Sequence, residues 1–437
     1  MKKPVFINGF SRMDKKSRIE EISSVEDLKW IKDLLAGFEA DDPKDQQVFD
    51  SISENTVSNF HLPYGIAPNF KIDDRMYHVP MVVEESSVIA AASKSAKFWC
   101  HKGGFQTVFL KKIKTGQIHF IFEGDVSLLK KHLKEIEKRL RASSAHLTTR
   151  MNKRGGGIKG FQLQDFTAEK AHYFQLMISF DTADSMGANF INSCLEAMAA
   201  ELMLILDEKE ELKTHHHELI MAILSNYTPE SIIRMKVETS LENLDDIAPG
   251  IKGSHFAEKF AHAVHIARHD IYRATTHNKG IMNGVDAVII ATGNDFRAVE
   301  AGAHAYAARN GRYASLSEVS IEDGLFRYEL ELPLSVGTVG GLTSLHPLAA
   351  FSIRFLGEPG ADELMKIIAA AGLANNFGAI RSLITEGIQK GHMKLHLDNI
   401  LTKFNATEKE RIKAKEYFSK RTVSYSDVKK FLNEQRN

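Results

Sequence analysis

The chain has 437 residues, and its 56 Lys and Arg residues balance 56 Asp and Glu residues, so its formal net charge is zero. This length allows two or three domains. The charge balance argues against a general nucleic-acid-binding protein. A hydrophobic fraction of 43%, with 26% charged residues, excludes wholesale disorder and fibrous repeats, so we expect a soluble, cored protein.

The cysteine content and the N-terminus bear on the compartment. Two cysteines, Cys100 and Cys194, cannot form a disulfide framework for so long a chain, which favours a reducing compartment. The N-terminus reaches Asn8 and Arg12 before any useful apolar stretch, so it does not resemble a secretory signal. Apolar runs such as residues 287–291 are far shorter than the roughly 20 residues needed to cross a bilayer. We predict a cytoplasmic protein that neither spans nor binds a membrane.

The N-terminal half changes character near residue 105. Residues 12–60 show helical periodicity, and residues 79–85 predict a strand that leads into a helix at 87–96. The predicted elements that follow are, in chain order, a strand at 117–122, a helix at 126–141, a strand at 173–180 and a helix at 186–205. This order is typical of a small split βαβ or ferredoxin-like domain inserted in a larger one. The provisional boundaries lie near residues 110 and 225.

The C-terminal half is richer in glycine and more apolar. Its predicted elements are helices at 255–270 and 296–309, strands at 285–292 and within 312–335, and helices beginning near 346, 361 and 376. This assignment puts Lys279 in a loop and Asp295 at the carboxyl end of a strand, where substrates often meet a sheet. After about residue 403 the sequence is highly charged, with cap-like Thr407 and Ser426, which predicts a small mobile helical unit.

One segment has the features of an anion site. DSMGAN, at residues 184–189, joins an apolar strand to a helix through small residues, which is how backbone N–H groups at a helix N-terminus are exposed to a phosphate. A helix cap by Asp184 with close packing at Gly187 explains the same letters. The turn at residues 337–341 is equally ambiguous and lacks the GxGxxG spacing of a dinucleotide-binding fold.

Histidines offer a second kind of site. His262, His265 and His269 fall on one helical face, which fits a metal site or an ordinary solvated or packed face. His392 lies in a Gly-His-Met segment near the mobile-looking C-terminal unit, where a lid could carry a general acid. A structural role is the alternative for a lone histidine.

Six motifs taken together resemble those of the 3-hydroxy-3-methylglutaryl-CoA reductases, specifically the soluble bacterial class II form, over roughly residues 54–400. In chain order they are ENTVS (54–58), VEESSVIAAAS (83–93), DSMGAN (184–189), HNKGIMNG (277–284), TGND (292–295) and GHM (391–393). Ser58 and Ser86 depart from the family pattern, which has glycine and proline at these positions. LSNY at residues 224–227 is similar to a further stretch of the family.

The resemblance implies specific site residues. The implied catalytic set is Glu85, Lys279, Asp295 and His392. The implied substrate contacts are Ser87, Asn226, Arg273 and Asn283, and the implied coenzyme contacts are Asp184, Met186, Gly187 and Asn189. In this scheme Lys279 stabilises an alkoxide, Glu85 supplies its proton and Asp295 bridges the two. His392 protonates the departing CoA thiolate.

The resemblance also implies an α+β fold with three parts. A large mixed α/β substrate-binding domain covers residues 1–110 and 226–385, a small inserted ferredoxin-like coenzyme-binding domain covers 111–225, and a helical C-terminal flap covers 386–437. The implied reaction is the two-step reduction of 3-hydroxy-3-methylglutaryl-CoA to mevalonate and CoA by NADPH or NADH, with no metal. The implied assembly is a homodimer with shared active sites, or a higher oligomer.

A turn of three glycines at residues 155–157 bears on the choice of coenzyme. In NADH-preferring relatives we expect an aspartate just after this turn, which would bond the ribose 2′-OH. Here the chain has Lys159 and Gly160 instead, and a cation without a carboxylate favours the 2′-phosphate of NADPH. A solvated turn that does not discriminate is the alternative.

Four other functions remain open at this point. The chain could be a different CoA-thioester oxidoreductase on the same scaffold, or the same enzyme working in the oxidative, mevalonate-degrading direction. It could also be a metallohydrolase that uses the His262, His265 and His269 face, or a catalytically inactive binding protein.

Overall fold

The computed structural model describes residues 6–26, 30–385, 397–418, 421 and 423–436. The helices are α1 (Lys15–Glu26), α2 (Trp30–Ala36), α3 (Pro43–Ile52), α4 (Val88–Cys100), α5 (Val126–Ser143), α6 (Ala145–Asn152), α7 (Ala188–Glu208), α8 (Gly253–His269), α9 (Ile271–Ala291), α10 (Phe296–Ala307), α11 (Leu342–Leu345), α12 (Pro347–Phe355), α13 (Ala361–Ile384), α14 (residues 397–403), α15 (Glu408–Tyr417) and α16 (Tyr425–Arg436). The strands are β1 (Tyr64–Ile72), β2 (Arg75–Val82), β3 (Gln106–Phe122), β4 (Gly157–Asp165), β5 (Tyr173–Asp181), β6 (His217–Leu224), β7 (Ser231–Ser240), β8 (Ser317–Glu322) and β9 (Leu325–Pro333). Short 3-10 helices occur at Phe10–Arg12 and Glu242–Leu244.

The strands form a two-stranded sheet and a seven-stranded sheet, and their pairings are antiparallel. β1 pairs with β2, while the larger sheet runs β4-β5-β3-β7-β9-β8 with β6 also paired to β3. The first half of β3 pairs with β7, and its second half lies between β5 and β6. Apart from the short additional helix α6, the segment from β3 to β6 has the β-α-β-β-α-β order of a ferredoxin-like unit. Its strands also have the arrangement of such a unit, β4-β5-β3-β6, and the predicted fold class is confirmed.

Buried apolar side chains form three separate clusters. The largest includes Trp99, Phe326 and Phe377, and the second fills the ferredoxin-like unit between its sheet and helices α5 and α7. A third cluster joins α14, α15 and α16. The chain passes from the first cluster to the second within the single strand β3. The domain boundaries at 110 and 225 and the flap at 386–437 stay predictions, and residues 386–396 lie outside the described part.

Helix α9 corrects the sequence-based assignment of this region. The predicted strand at 285–292 and the predicted loop around Lys279 are wrong, because both stretches belong to one helix that ends at Ala291. α9 packs along α13. The helices predicted from residue 361 and from residue 376 are both part of α13, so they form one helix. Glycine permits this close approach: a side chain at Gly284 would lie 2.2 Å from the carbonyl oxygen of Ala371.

A Gly284→Ala variant is expected to lose roughly 1–3 kcal/mol of unfolding free energy, because the added methyl group forces α9 and α13 apart. Urea denaturation of the purified variant measures this loss. Gly160→Ala is the matched control, since a Cβ there meets no atom within 4 Å, and its stability should change by less than about 0.5 kcal/mol. Equal stability of the two variants would contradict the close packing of the helices.

By length and composition alone, α7 and α13 could each span a membrane. The shortness of uninterrupted apolar runs therefore does not by itself exclude a membrane-spanning helix. Both helices carry many buried residues of the clusters described above, and 78% of the apolar window of α13 is buried inside the fold. Burial of this kind is typical of core helices.

Candidate active site

Glu85 and Lys279 form an ion pair across two distant parts of the chain. Glu85 lies in the loop between β2 and α4, and its Oε2 is 3.1 Å from the Nζ of Lys279 on α9. Ser87 is the N-cap residue of α4, but its hydroxyl donates to Oε1 of Glu85 at 2.9 Å and does not cap the helix. The side chains of Lys279 and Glu85 remain 61% and 35% exposed. The pair is therefore held in place and is accessible to a ligand.

The surroundings of α9 hold Lys279 in position. The Asn376 side chain on α13 donates to the carbonyl of His277 at 2.7 Å, and Asn278 accepts from the backbone N–H of Leu316 at 3.0 Å. The His277 ring is buried and lies 2.6 Å from the Ser317 hydroxyl. Burial, together with the nearby Arg273 charge, lowers the pKa of His277 to about 3, so this ring stays neutral.

Asp295 begins helix α10 and does not end a strand, so that part of the assignment is wrong. Its Oδ1 accepts from the backbone N–H groups of Arg297 and Ala298 at 3.1 and 3.2 Å, and the Arg297 guanidinium lies 3.2 Å away. Burial raises the pKa of Asp295, but the hydrogen bonds and charge of Arg297 outweigh it and the net shift is downward. Asp295 therefore stays ionised at neutral pH. Within the described residues no hydrogen bond joins it to Lys279.

The DSMGAN segment lines a cleft of about 470 Å³ together with the residues around Asp295 and the turn at 337–343. Helix α7 begins after Gly187, whose φ of 86° is left-handed, and among the described residues no side chain caps this end. Free N–H groups at a helix N-terminus attract anions. The cleft therefore brings the predicted coenzyme segment beside one predicted catalytic carboxylate.

Asp184 has a different role from the helix cap considered in the sequence. Its Oδ1 accepts from the backbone N–H of Ala361 at 2.8 Å, so it caps α13 and leaves α7 uncapped. Its carbonyl also accepts from the N–H of Thr338 at 2.8 Å. Asp184 thus ties the cleft segment to the large cluster, while Met186, Gly187 and Asn189 line the cleft itself.

The other predicted substrate contacts lie on α9 or beside α10. Arg273 and Asn283 are half-buried on α9, and Asn283 lies one turn after Lys279 on the same face. Asn226 is exposed in the loop after β6, where its carbonyl packs against Gly302 of α10.

Lys159 lies at an irregularity of β4, beside the end of β5. Its Nζ lies 3.2 Å from the carbonyl of Gly155 and 3.9 Å from the carboxylate of Asp181. The Lys159 side chain is 41% exposed, and the neighbouring Gly160 has open space around its Cα. His392 lies outside the described residues.

Sequence reasoning missed Lys114, which is 4% exposed beneath the DSMGAN segment. The signal was available in the alternation of β3, because Lys114 has the same parity as Ile118, Phe120 and Phe122, which are buried. It also missed a cavity of about 780 Å³ lined by residues 52–62, which include the ENTVS motif.

The histidine face of α8 is surrounded by cations. The rings of His265 and His269 lie 4.4 Å apart, and Arg312 lies 3.3 Å from the Nδ1 of His269. In the described ranges no group of three or more His, Cys, Asp or Glu residues could hold a metal ion. The metallohydrolase alternative therefore gains no support from this face.

Comparison with known families agrees with this geometry. The hydroxymethylglutaryl-coenzyme A reductase family matches residues 16–397, which is most of the chain. The chain therefore belongs to the hydroxymethylglutaryl-coenzyme A reductase family, and the predicted family is confirmed.

Individual relatives cover nearly the whole chain. A 3-hydroxy-3-methylglutaryl-coenzyme A reductase from Archaeoglobus fulgidus is 35% identical over 410 residues, which are 92% of this chain and 88% of the relative. A probable reductase of the same name from Borreliella burgdorferi is 34% identical over 365 residues, 82% of this chain and 80% of the relative. A solved class II reductase from Streptococcus pneumoniae, bound to NADPH in open conformations, is 34% identical with a TM-score of 0.72, and the match covers 97% of this chain and 100% of that one.

Proposed function

We propose that this chain reduces 3-hydroxy-3-methylglutaryl-CoA to mevalonate and CoA, using two molecules of NADPH for each thioester. The observation that carries the proposal is the accessible Glu85–Lys279 ion pair, with its 3.1 Å contact, in a chain of this family. A cation beside a carboxyl group suits a reaction in which a carbonyl oxygen becomes negatively charged and then takes a proton.

The residues of the cleft fit a nicotinamide coenzyme. The uncapped N-terminus of α7 offers N–H groups to a phosphate. Gly337 lets the turn at residues 337–341 pack closely against this segment, since a Cβ at Gly337 would lie 2.2 Å from the backbone nitrogen of Met186. A nicotinamide coenzyme, when bound, supplies the hydrides. The proposed contacts are Met186, Gly187 and Asn189, with Asp184 fixing the segment to α13.

In the first step, hydride addition to the thioester carbon makes an alkoxide on the former carbonyl oxygen. We assign Lys279 to stabilise this oxyanion and Glu85, in its protonated form in the substrate complex, to donate the proton that gives the hemithioacetal. Asp295, which stays ionised, keeps negative charge at the edge of the cleft, and we assign it a place beside the reacting groups. Arg273, Asn283, Ser87 and Asn226 are the proposed substrate contacts.

The hemithioacetal then returns its hydroxyl proton to Glu85 and breaks its carbon–sulfur bond, which gives an aldehyde and a CoA thiolate. We assign His392 to protonate the thiolate, because a free thiolate with a pKa near 8.5 would attack the aldehyde and reverse the step. A second hydride and a second proton convert the aldehyde to the alcohol of mevalonate. Glu85 and Lys279 repeat their roles at the new alkoxide.

Steady-state assays with 3-hydroxy-3-methylglutaryl-CoA test this proposal. The expected result is loss of NADPH absorbance with two NADPH oxidised for each mevalonate and CoA formed. Succinyl-CoA and acetoacetyl-CoA serve as alternative thioesters, and faster turnover of either would favour the other CoA-thioester oxidoreductase. Comparing both directions with both coenzymes separates synthesis of mevalonate from its degradation.

We further propose that the enzyme works in the cytoplasm as a homodimer with shared active sites. Ile266, Ile271 and Tyr272 are 52%, 54% and 85% exposed, near the start of the helix that carries Lys279. A second copy packed on these apolar side chains would lie close to the ion pair, which supports the assembly.

The wild-type enzyme is expected to prefer NADPH over NADH in kcat/KM, because Lys159 offers a cation to the 2′-phosphate and no carboxylate replaces it at Gly160. Gly160→Asp should move the preference toward NADH by about tenfold, since a carboxylate bonds the ribose 2′-OH and repels a 2′-phosphate. The open space around Gly160 admits the new side chain without a clash.

Gly160→Asn is the matched control, because it adds a side chain of nearly the same size without the charge. A wild-type preference for NADH above tenfold, or an aspartate variant with unchanged preference, would show that this turn does not read the coenzyme. The preference would then have to come from other residues.

A further inference from the structure

Lys114 is a buried charged side chain that the proposed reaction does not use. It is 4% exposed on β3, and its Nζ donates to Thr182 Oγ1 at 2.7 Å, to the carbonyl of Ser185 at 2.9 Å and to the carbonyl of Met186 at 2.7 Å. These three bonds use all three donors of an ammonium group. Thr182 also donates to the Ser185 carbonyl, at 2.6 Å. The turn before α7 is therefore built around this lysine.

The direction of these bonds fixes the direction of the N–H groups on the other side of the turn. In a trans peptide the C=O and the N–H point in opposite directions. Because the Ser185 and Met186 carbonyls point at Lys114, the N–H groups of Met186 and Gly187 point away from it. Within the described part of the chain neither N–H has a hydrogen-bond acceptor. Gly337 packs closely against the Met186 nitrogen, since a Cβ at Gly337 would lie 2.2 Å from it, and both residues line the cleft.

We propose that Lys114 is a positioning residue for the coenzyme: its ammonium group turns the Met186 and Gly187 N–H groups toward the phosphates, and coenzyme binding is therefore coupled to proton uptake at Lys114. This inference rests on the proposed binding of a nicotinamide coenzyme in the DSMGAN cleft. Lys114 does not touch the coenzyme in this scheme and acts through the peptide groups of the turn.

Burial of Lys114 brings its pKa into the neutral range. Burial lowers its pKa to about 7, more than the attraction of Asp181 raises it, and Lys112 lowers it further. The other charged groups near this site are already paired: Lys112 with Asp362 at 2.8 Å, and Lys159 with Asp181 at 3.9 Å. Asp184 holds the N-terminus of α13. A phosphate in the cleft adds negative charge to this balance and favours the ammonium form of Lys114.

In this scheme the free protein loses the Lys114 proton as the pH rises through its pKa of about 7. The negative charge of the bound coenzyme keeps the proton on Lys114 to higher pH. Coenzyme binding above pH 7 must then restore the proton. The Kd for NADPH should rise by roughly fivefold to tenfold between pH 6.5 and pH 8, which is the linkage expected for one shifted group.

Titration calorimetry of the full chain with NADPH measures the uptake, in two buffers of different ionisation enthalpy at pH 8. The second pKa of a phosphate monoester lies near 6, so the 2′-phosphate does not contribute at this pH. We expect uptake approaching one proton for each NADPH in the wild type. In Lys114→Met, which has a similar shape and no charge, we expect no uptake and a pH-independent Kd about tenfold weaker at pH 6.5.

Two further variants keep the test decisive. Lys114→Arg stays charged throughout, so it should bind NADPH without uptake and keep its affinity at pH 8, even if the methionine variant does not fold. Lys111→Met removes an exposed lysine of β3 that pairs with Glu230, and it should retain wild-type uptake. Two results would overturn this inference and leave the proposed function standing. One is wild-type protein that binds NADPH without proton uptake, and the other is undiminished proton uptake in either Lys114 variant. Failure of the wild type to bind NADPH at any pH would overturn the proposed function as well.

Discussion

Replacing Lys279 by alanine is expected to lower kcat for reduction of 3-hydroxy-3-methylglutaryl-CoA by at least about 10²–10³, the usual cost of losing one oxyanion donor. Affinity for NADPH and the unfolding free energy should change little. The ammonium group is mostly solvent-exposed, and it acts on charge that develops in the transition state. Steady-state kinetics, NADPH titration and urea denaturation measure the three quantities.

Two other variants separate charge from packing. Lys279→Met keeps the aliphatic stem and should be as inactive as the alanine variant, because the stem does not stabilise an alkoxide. Lys97→Ala removes an exposed lysine from α4, the helix that follows Glu85, and should leave kcat within about twofold of the wild type. Turnover near the wild-type rate in both Lys279 variants would remove this residue from the mechanism.

The segment around Glu85 shows what the sequence could predict. The apolar alternation before it and the small residues after it predicted a strand, a junction and a helix, and the structure has β2, a loop and α4 in that order. The prediction succeeded because these signals are local. The partner of Glu85 is 194 positions away, and only the order of the motifs pointed to Lys279.

The segment 285–292 shows where local signals fail. Val285, Val288 and Ile289 are β-branched and favour strands, so the pattern predicted one. In the fold these side chains are buried in the largest cluster, and Gly284 lets α9 lie against α13. Tertiary packing of this kind overrides intrinsic propensity. Its cause lies about ninety residues further along the chain, in α13.

The coenzyme segment was predicted from its letters, and it stays a prediction, but the residues that support the segment were not predicted. The small residues of DSMGAN before an apolar helix fit either a phosphate site or an ordinary cap with close packing. Lys114 on β3 contacts this segment through its buried ammonium group. Asp184 joins the segment to α13 by capping that helix. Both are long-range contacts, and single-sequence reasoning has no measure of which lysine of β3 is buried beyond the alternation of the strand.

His392 lies outside the described residues, and its role is assigned through the resemblance and the chemistry of the leaving group. His392→Gln should lower kcat/KM for 3-hydroxy-3-methylglutaryl-CoA by about 10²–10⁴, the usual range for loss of a general acid. Reduction of free mevaldehyde should be nearly unaffected, because that half-reaction expels no thiolate. Comparing both substrates in one preparation cancels errors in active enzyme concentration. His396→Gln, four residues away, is the matched control and should leave both rates unchanged. Equal losses on the two substrates would mean that His392 serves the closure or architecture of the C-terminal unit and does not protonate the thiolate.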